Sequence, residues 1–256
     1  MEIEIIDHKY KEQKIKLTSA TIIGINGCEI SYIENLLTNK KGILTNKKNI
    51  DEDEYYQFKK NICTVREHSY INISKNTIFE IMESILSLNK IYPKNKEKKI
   101  TDSLKIVGIN KDILSRNINT LSKSETKLLQ IAISLLLNPE IIVIEEPFKY
   151  LDLKNIKKIM LVFRKLKEQY NKIIVFISKD TEKLYQNTDN MIFYTKECIY
   201  QKSTKEAFQN VDFLVKNNIE IPQIIDFTHK TRKNKRIKID YHQDVRDIIK
   251  DIYKHI

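Results

Sequence analysis

The sequence predicts an α/β fold built on a mainly parallel sheet, and three stretches carry that expectation. "ATIIGING" (20–27) is an apolar run entering a glycine turn, and "SYIENLL" (31–37) then opens a helix. "EIIVIEEP" (140–147) is a continuous apolar run of strand length lying between two amphipathic helices. "KIIVFIS" (172–178) repeats that run after the second helix. Strands buried on both faces read as unbroken apolar runs, and their alternation with helices is the mark of βαβ units.

Composition sets the bounds. The chain has 256 residues, 41% hydrophobic and 31% charged, enough for one large domain with an appendage. Only 4 Gly and 4 Pro occur, so helices and strands should dominate. The opening "MEIEIIDHKY" is too charged for a signal peptide. The most apolar stretch, "IAISLLLNPEIIVIEEP", is broken at Asn138, Pro139 and Glu140, short of the roughly 20 apolar residues a membrane span needs. A cytoplasmic location is expected. The 3 cysteines and 5 histidines show neither disulfide nor zinc spacing. The net charge of +11 is spread out, with modest clusters at "KNKEKK" (94–99) and "HKTRKNKRIK" (229–238), and reads as a solvated face; no nucleic-acid partner is expected.

Further elements follow in order. "TIFEIMESILSLNK" predicts a helix with Ile78, Ile81, Met82, Ile85 and Leu88 on one face, opened by a Thr77/Glu80 capping box. "YPKNKEKK" reads as a basic linker. "LSKSETKLLQIAISLLL" is a second strong helix with a Ser122/Glu125 capping box. "LKNIKKIMLVFRKLKEQY" is a third, and "IPQIIDFTHKT" and "YHQDVRDIIKDIYKHI" have helical periodicity near the C-terminus.

Two places carry chemistry. "GINGCEIS", Gly24 through Ile25, Asn26, Gly27, Cys28, Glu29 and Ile30 to Ser31, has the strand-turn-helix context of a phosphate-binding loop. That pattern needs Gly-Lys before the Ser, where this chain has Glu29 and Ile30. Glu145 and Glu146 end a buried strand before a proline, and carboxylates at that edge are costly unless they hold a metal or activate water.

The block "LSKSETKLLQIAISLLLNPEIIVIEEPFKYLD" resembles the signature helix, magnesium strand and dimer-contact loop of ABC-type ATPases. The implied fold is an ABC-type P-loop NTPase over 1–204, with a helical subdomain at about 68–125. "STKEAFQN" and "NNIEIPQIIDFTHK" are similar to the C-terminal region of energy-coupling-factor transporter ATPases, which implies such a region over 205–256. The resemblance implies ATP and Mg2+ as cofactors. It makes Gly24–Tyr32 the phosphate loop, Ser31 and Glu145 the metal residues, and Glu146 the catalytic base. Glu67 replaces the glutamine at the γ-phosphate, and Lys179 replaces the switch histidine. Asp152 matches the dimer-contact aspartate, and Tyr10 the residue that stacks on adenine. Ser122 and Lys123 open the signature helix, which in the family faces the partner's ATP.

The departures weaken the chemistry. Losing the loop lysine and gaining Glu29 and Glu67 makes the phosphate surroundings more negative, with only Lys179 acting the other way. A carboxylate about 4 Å from a phosphate oxygen costs on the order of 4 kcal/mol at intermediate dielectric. Ordered phosphate is most of what phosphoryl transfer requires, so weak or lost hydrolysis is expected. The implied setting is the cytoplasmic face of a membrane, peripherally, beside a second, competent ABC ATPase subunit and a transmembrane energy-coupling-factor subunit. A pseudo-ATPase scaffold and a soluble nucleic-acid-associated ABC protein are the alternatives.

Overall fold

The computed structural model describes residues 2–46, 48–67, 77–235, 240 and 245–253. Its elements run β1 (Glu2–Asp7), β2 (Gln13–Thr18), β3 (Thr21–Asn26), α1 (Ile30–Leu37), β4 (Ile43–Thr45), β5 (Lys48–Asn49), α2 (Glu52–Lys60) and β6 (Ile62–Val65). There follow α3 (Ile78–Leu88), α4 (Lys96–Val107), α5 (Lys123–Leu137), β7 (Ile141–Glu145), α6 (Leu153–Tyr170), β8 (Ile173–Ile177) and α7 (Thr181–Asn187). The chain continues with β9 (Asn190–Tyr194), β10 (Ile199–Ser203), α8 (Thr204–Gln209), α9 (Val211–Lys216), α10 (Gln223–Lys235) and α11 (Val245–Tyr253).

The expected parallel sheet is present. Its order is β10-β9-β3-β8-β7-β6, and only β10 runs antiparallel. Alternate residues of its central strands feed two cores. Ile22, Ile142, Ile144, Ile174 and Phe176 face the helical side, where α3 to α11 contribute buried residues. Ile23, Ile25, Val143, Val175 and Ile177 face a second core. That second core is closed by α1, α2 and a four-stranded antiparallel sheet of order β2-β1-β4-β5. Each Leu or Ile fully buried this way contributes roughly 1.5–3 kcal/mol over leaving it exposed.

The two sheets meet at an edge. The Gln201 side chain of β10 accepts from the Lys16 N–H at 2.9 Å and donates to its carbonyl at 2.7 Å, satisfying the free edge of β2.

Both expected capping boxes form. Glu80 N–H donates to Thr77 Oγ1 at 3.3 Å, and Thr77 N–H donates to Glu80 Oε2 at 3.1 Å. Ser122 and Glu125 exchange the same bonds at 3.2 and 2.8 Å. Two expectations need correction. Leu86, not Leu88, completes the buried face of α3: Leu86 is 1% exposed and Leu88, in the last turn beyond the core, 77%. The basic stretch at 92–99 is not all linker, since Asn95 caps α4 and the helix begins at Lys96. Of the expected helical subdomain, residues 68–76 lie outside the described residues, as do 241–244 and 254–256 of the last expected helix. Ile224, Ile225 and Ile248 of the C-terminal helices belong to the helical-side core. Among the described residues, no helix is long and apolar enough to cross a membrane.

Candidate nucleotide cleft

In a parallel sheet the carboxyl ends of the strands share one edge, and the crevice outside that edge is where ligands bind. Here it is a cleft of about 910 Å³. Its walls include Asn26 to Ser31 after β3, Glu67 after β6, Glu145 and Glu146 at the end of β7, and Lys179 after β8. The fold therefore brings most of the expected site residues together. Gly24 and Ile25 lie within β3 itself, and Tyr32, Tyr10, Ser122 and Lys123 are not among the lining residues.

At the loop end, the two glycines have separate duties. A Cβ on Gly24 would sit 2.4 Å from Met191 Sδ of the neighbouring β9, so this glycine serves packing on the helical side of the sheet. Gly27 has φ +93°, and a Cβ there would lie 2.2 Å from the Tyr194 carbonyl oxygen. Ile25 is buried in the second core, and the Asn26 amide donates to the Ser178 carbonyl at 3.0 Å, tying the loop to β8. Glu29 is the exposed N-cap of α1 and makes no side-chain capping bond. Ser31 is exposed at the cleft.

Ile30 occupies the expected lysine position and is 4% exposed, packed into the second core. The expected phosphate loop therefore offers no cationic side chain at the position where a lysine would present charge. Tyr32 reaches away from the cleft: its hydroxyl donates to the buried Asp7 carboxylate at 2.7 Å, and its ring meets Tyr194 edge-on at 5.7 Å. Tyr10 meets Tyr194 at 5.5 Å, and Lys9 Nζ lies 5.2 Å from the Tyr32 ring and 5.7 Å from that of Tyr10. Burial, reinforced by Asp7 and Glu29, pushes the Cys28 thiol up to about 12. Burial first, and then the Asp7 hydrogen bond, raises the Tyr32 hydroxyl as well.

The carboxylate end is organised by hydrogen bonds. Glu145 Oε2 accepts the Glu67 N–H at 2.8 Å. Glu146, held at φ +44°, accepts from the Ser178 hydroxyl at 2.8 Å and from the Lys179 N–H at 3.0 Å. The Glu67 carboxylate accepts from Lys149 Nζ and, at 3.2 Å, from the Tyr150 hydroxyl. Tyr150 also adopts a positive φ, +68°, and its ring lies 5.0 Å from Lys123 Nζ and 5.4 Å from Lys149 Nζ. Lys123 is thus engaged within its own chain. Asp152 caps α6 by accepting the Asn155 N–H at 2.7 Å.

Four residues escaped the sequence reading: Arg66, Lys149 and Ser178 line the cleft, and Lys127 lies behind the end of β7. Lys127, on α5, is 3% exposed and donates to the Glu145 carbonyl at 2.6 Å. Burial pushes its ammonium down to about 8, against the upward pull of Glu67, Glu145 and Glu146. The signal was its spacing: Lys127 precedes Ile131 by four residues and Ser134 by seven, and both of those are wholly buried.

A magnesium-nucleotide complex needs cationic groups around phosphate and open carboxylate oxygens around the metal. Among the described residues no three His, Cys, Asp or Glu side chains gather into a metal shell. Magnesium is held largely by phosphate and water, so that alone decides little. The buried Ile30 and the ammonium of Lys127 behind Glu145 are the misfit.

The sequence profile of the ABC transporter family matches residues 16–149, just over half of the chain. The energy-coupling factor transporter ATP-binding protein EcfA2 of Staphylococcus aureus is 27% identical over 134 residues, 52% of this chain and 47% of the relative. The zinc import ATP-binding protein ZnuC of Ehrlichia chaffeensis is 32% identical over 128 residues, 50% of this chain and 52% of the relative. The chain spans about half the length of the curated relatives it matches. Among solved structures, cbiO1 of Clostridium perfringens, part of the ABC transporter complex cbiONQ, superposes with a TM-score of 0.67 at 18% identity. That superposition covers 89% of this chain and 98% of cbiO1, and at such identity it speaks for the fold alone. With the profile running from β2 to the turn after β7, the chain belongs to the ABC transporter family.

Proposed function

We propose that this chain is the ATP-binding subunit of an energy-coupling-factor-type importer for vitamins or metal ions, and that its own cleft turns over little or no ATP. It works at the cytoplasmic face of the membrane, docked on a transmembrane subunit and paired with a competent ATPase subunit. The setting is supported by the likeness to EcfA2 and to cbiO1 of the cbiONQ complex. The observation that carries the loss of turnover is Ile30, buried in the second core where the loop needs a lysine facing phosphate.

Glu146 still stands where a general base would stand, bonded to Ser178 and Lys179. A base without ordered, neutralised phosphate contributes little to phosphoryl transfer. The test is ATP turnover by the purified chain, expected to be negligible. Turnover at ordinary ABC rates, abolished by Glu146→Gln, overturns the reading. The double variant Glu29→Gly with Ile30→Lys should raise nucleotide affinity by tenfold or more in calorimetry, since it restores one cation and removes one anion. No gain would mean that the loop is misassigned.

A second reading, a pseudo-ATPase scaffold that binds no nucleotide at all, is favoured by the packing of Tyr10 and Tyr32 on Tyr194 outside the cleft lining. Nucleotide affinity of the wild-type chain separates the two readings.

A further inference from the structure

At the edge of the parallel sheet opposite the cleft, the ends of α4, α5 and α6 enclose an apolar groove of about 430 Å³. Ile106, Leu135, Pro139, Val162 and Leu166 line it, with Tyr170 exposed at its rim. Apolar surface continues outside it: Ile106 is 46% exposed, and Leu161, between Lys158 and Lys165 on one face of α6, is 65% exposed. Lysines flank this surface. Lys165 lines the groove, Lys105 precedes Ile106, and Lys158 lies across the end of α4 against Gly108. All three are exposed, and their ammonium groups bond no other described residue. Glu140, beside Pro139, is already bonded to Lys172 at 2.9 Å. We infer that this groove is the docking site for an acidic amphipathic helix of a partner protein, with an apolar side chain of that helix in the groove and its carboxylates on Lys105, Lys158 and Lys165.

The charge and the apolar wall together select this occupant. Exposed apolar surface rimmed by charge marks an interaction site, and unpaired lysines around it call for carboxylates. A nucleic acid would bring phosphates to the lysines but nothing to cover Ile106 and Leu161. A bilayer is flat, whereas the groove is concave. Moreover, α6 keeps its own apolar face, Ile159, Met160 and Phe163, inside the core, so it has little to insert. A helix with apolar residues three and four apart, and acids beside them, meets both halves of the surface. From Lys158 to Tyr170, α6 rises about 18 Å, room for about three turns of such a helix. With nothing bound the lysines remain hydrated and cost the fold little; on docking they fix the register of the partner. The groove lies at the far ends of β7 and β8 from Glu145 and Lys179, so the inference stands apart from the reading of the cleft.

The probe is a phage-displayed library of helical peptides, selected on the full chain and counter-selected on Leu161→Glu. The winners are expected to carry Asp or Glu beside one or two large apolar residues. As free peptides they should bind wild type with micromolar affinity. Binding should be about tenfold weaker to Ile106→Glu, and weaker by a similar factor to the double variant Lys158→Glu with Lys165→Glu. Exchanging the acids of a winner for lysines should abolish binding to wild type and restore it to the double variant. The altered side chains are exposed, so each variant should melt with wild type. Any variant that melts lower is replaced by its Gln counterpart, with a weakening of about threefold expected. No enrichment, basic or uncharged winners, or winners indifferent to these variants overturn the inference. Tighter binding of anionic vesicles or duplex RNA, lost in the same variants, also overturns it and makes this face a lipid or nucleic-acid surface.

Discussion

At the loop end of the cleft, Ile30, Tyr32 and Tyr10 turn toward the second core, whereas at the opposite end Glu67, Glu145 and Glu146 remain in the cleft and meet Lys127, Lys149 and Ser178. On the proposed reading the two ends depart from a nucleotide site by different physics. Apolar burial at the loop end is spread over many contacts, so no single change reopens it. The carboxylate end is held instead by a few hydrogen bonds and the Lys149–Glu67 pair. Substitutions at each end test whether that contrast holds.

The largest effect is expected at Gly27. Gly27→Ala combines a left-handed backbone with a collision against the fixed Tyr194 carbonyl, and should cost about 3 kcal/mol in denaturant unfolding. Gly24→Ala should cost less, because the nearest atom is the flexible end of Met191. Equal losses would mean that the loop backbone is free to move, and the picture of a packed loop end would fail.

Tyr32→Phe comes next. It keeps the ring on Tyr194 and removes the donor to the buried Asp7 carboxylate, for a loss of about 2 kcal/mol. The Lys9 N–H, 3.0 Å from Asp7 Oδ1, remains. A neutral result by the same unfolding measurement would place Tyr32 outside the core and return it to the cleft.

The smallest effect on stability is expected from Lys123→Glu. Its cation-π contact with Tyr150 is worth about 0.5–1 kcal/mol at an exposed site, so melting should barely change. If the start of α5 acts on a partner's ATP, turnover by the assembled complex should nonetheless slow. Unchanged turnover with a lowered melting temperature would make the start of α5 a structural cap, Ser122 included, worth about 1 kcal/mol.

The central sheet was legible because β7 and β8 are short apolar runs alternating with helices, β3 is one that enters a glycine turn, and Ser122/Glu125 and Thr77/Glu80 mark helix starts by chemistry. The small antiparallel sheet was harder to read. Its β1 and β2 mix apolar with polar and charged residues over six positions each, and β4 and β5 are shorter still. Their pairing is set by tertiary contacts that no local signal announces. In the cleft, Glu29, Glu145 and Glu146 were visible from motif spacing. Lys127 was not, because a lysine in an amphipathic helix reads as solvent-facing, and only the buried Ile131 and Ser134 on its face reveal otherwise. Which way Ile30 and Tyr32 would turn was decided by the second core, whose members come from distant parts of the chain.

Gly24 and Gly27 also bear on how such a loop wears away over time. Each answers to the sheet as well as to any ligand, the first through Met191 and the second through the Tyr194 backbone. Selection for a folded protein alone would retain both, while on the proposed reading Glu29 and Ile30, just beyond Cys28, drifted toward a surface charge and a core residue. A glycine signature in this loop is therefore a record of ancestry and of packing, and it outlasts the chemistry for which such loops are named.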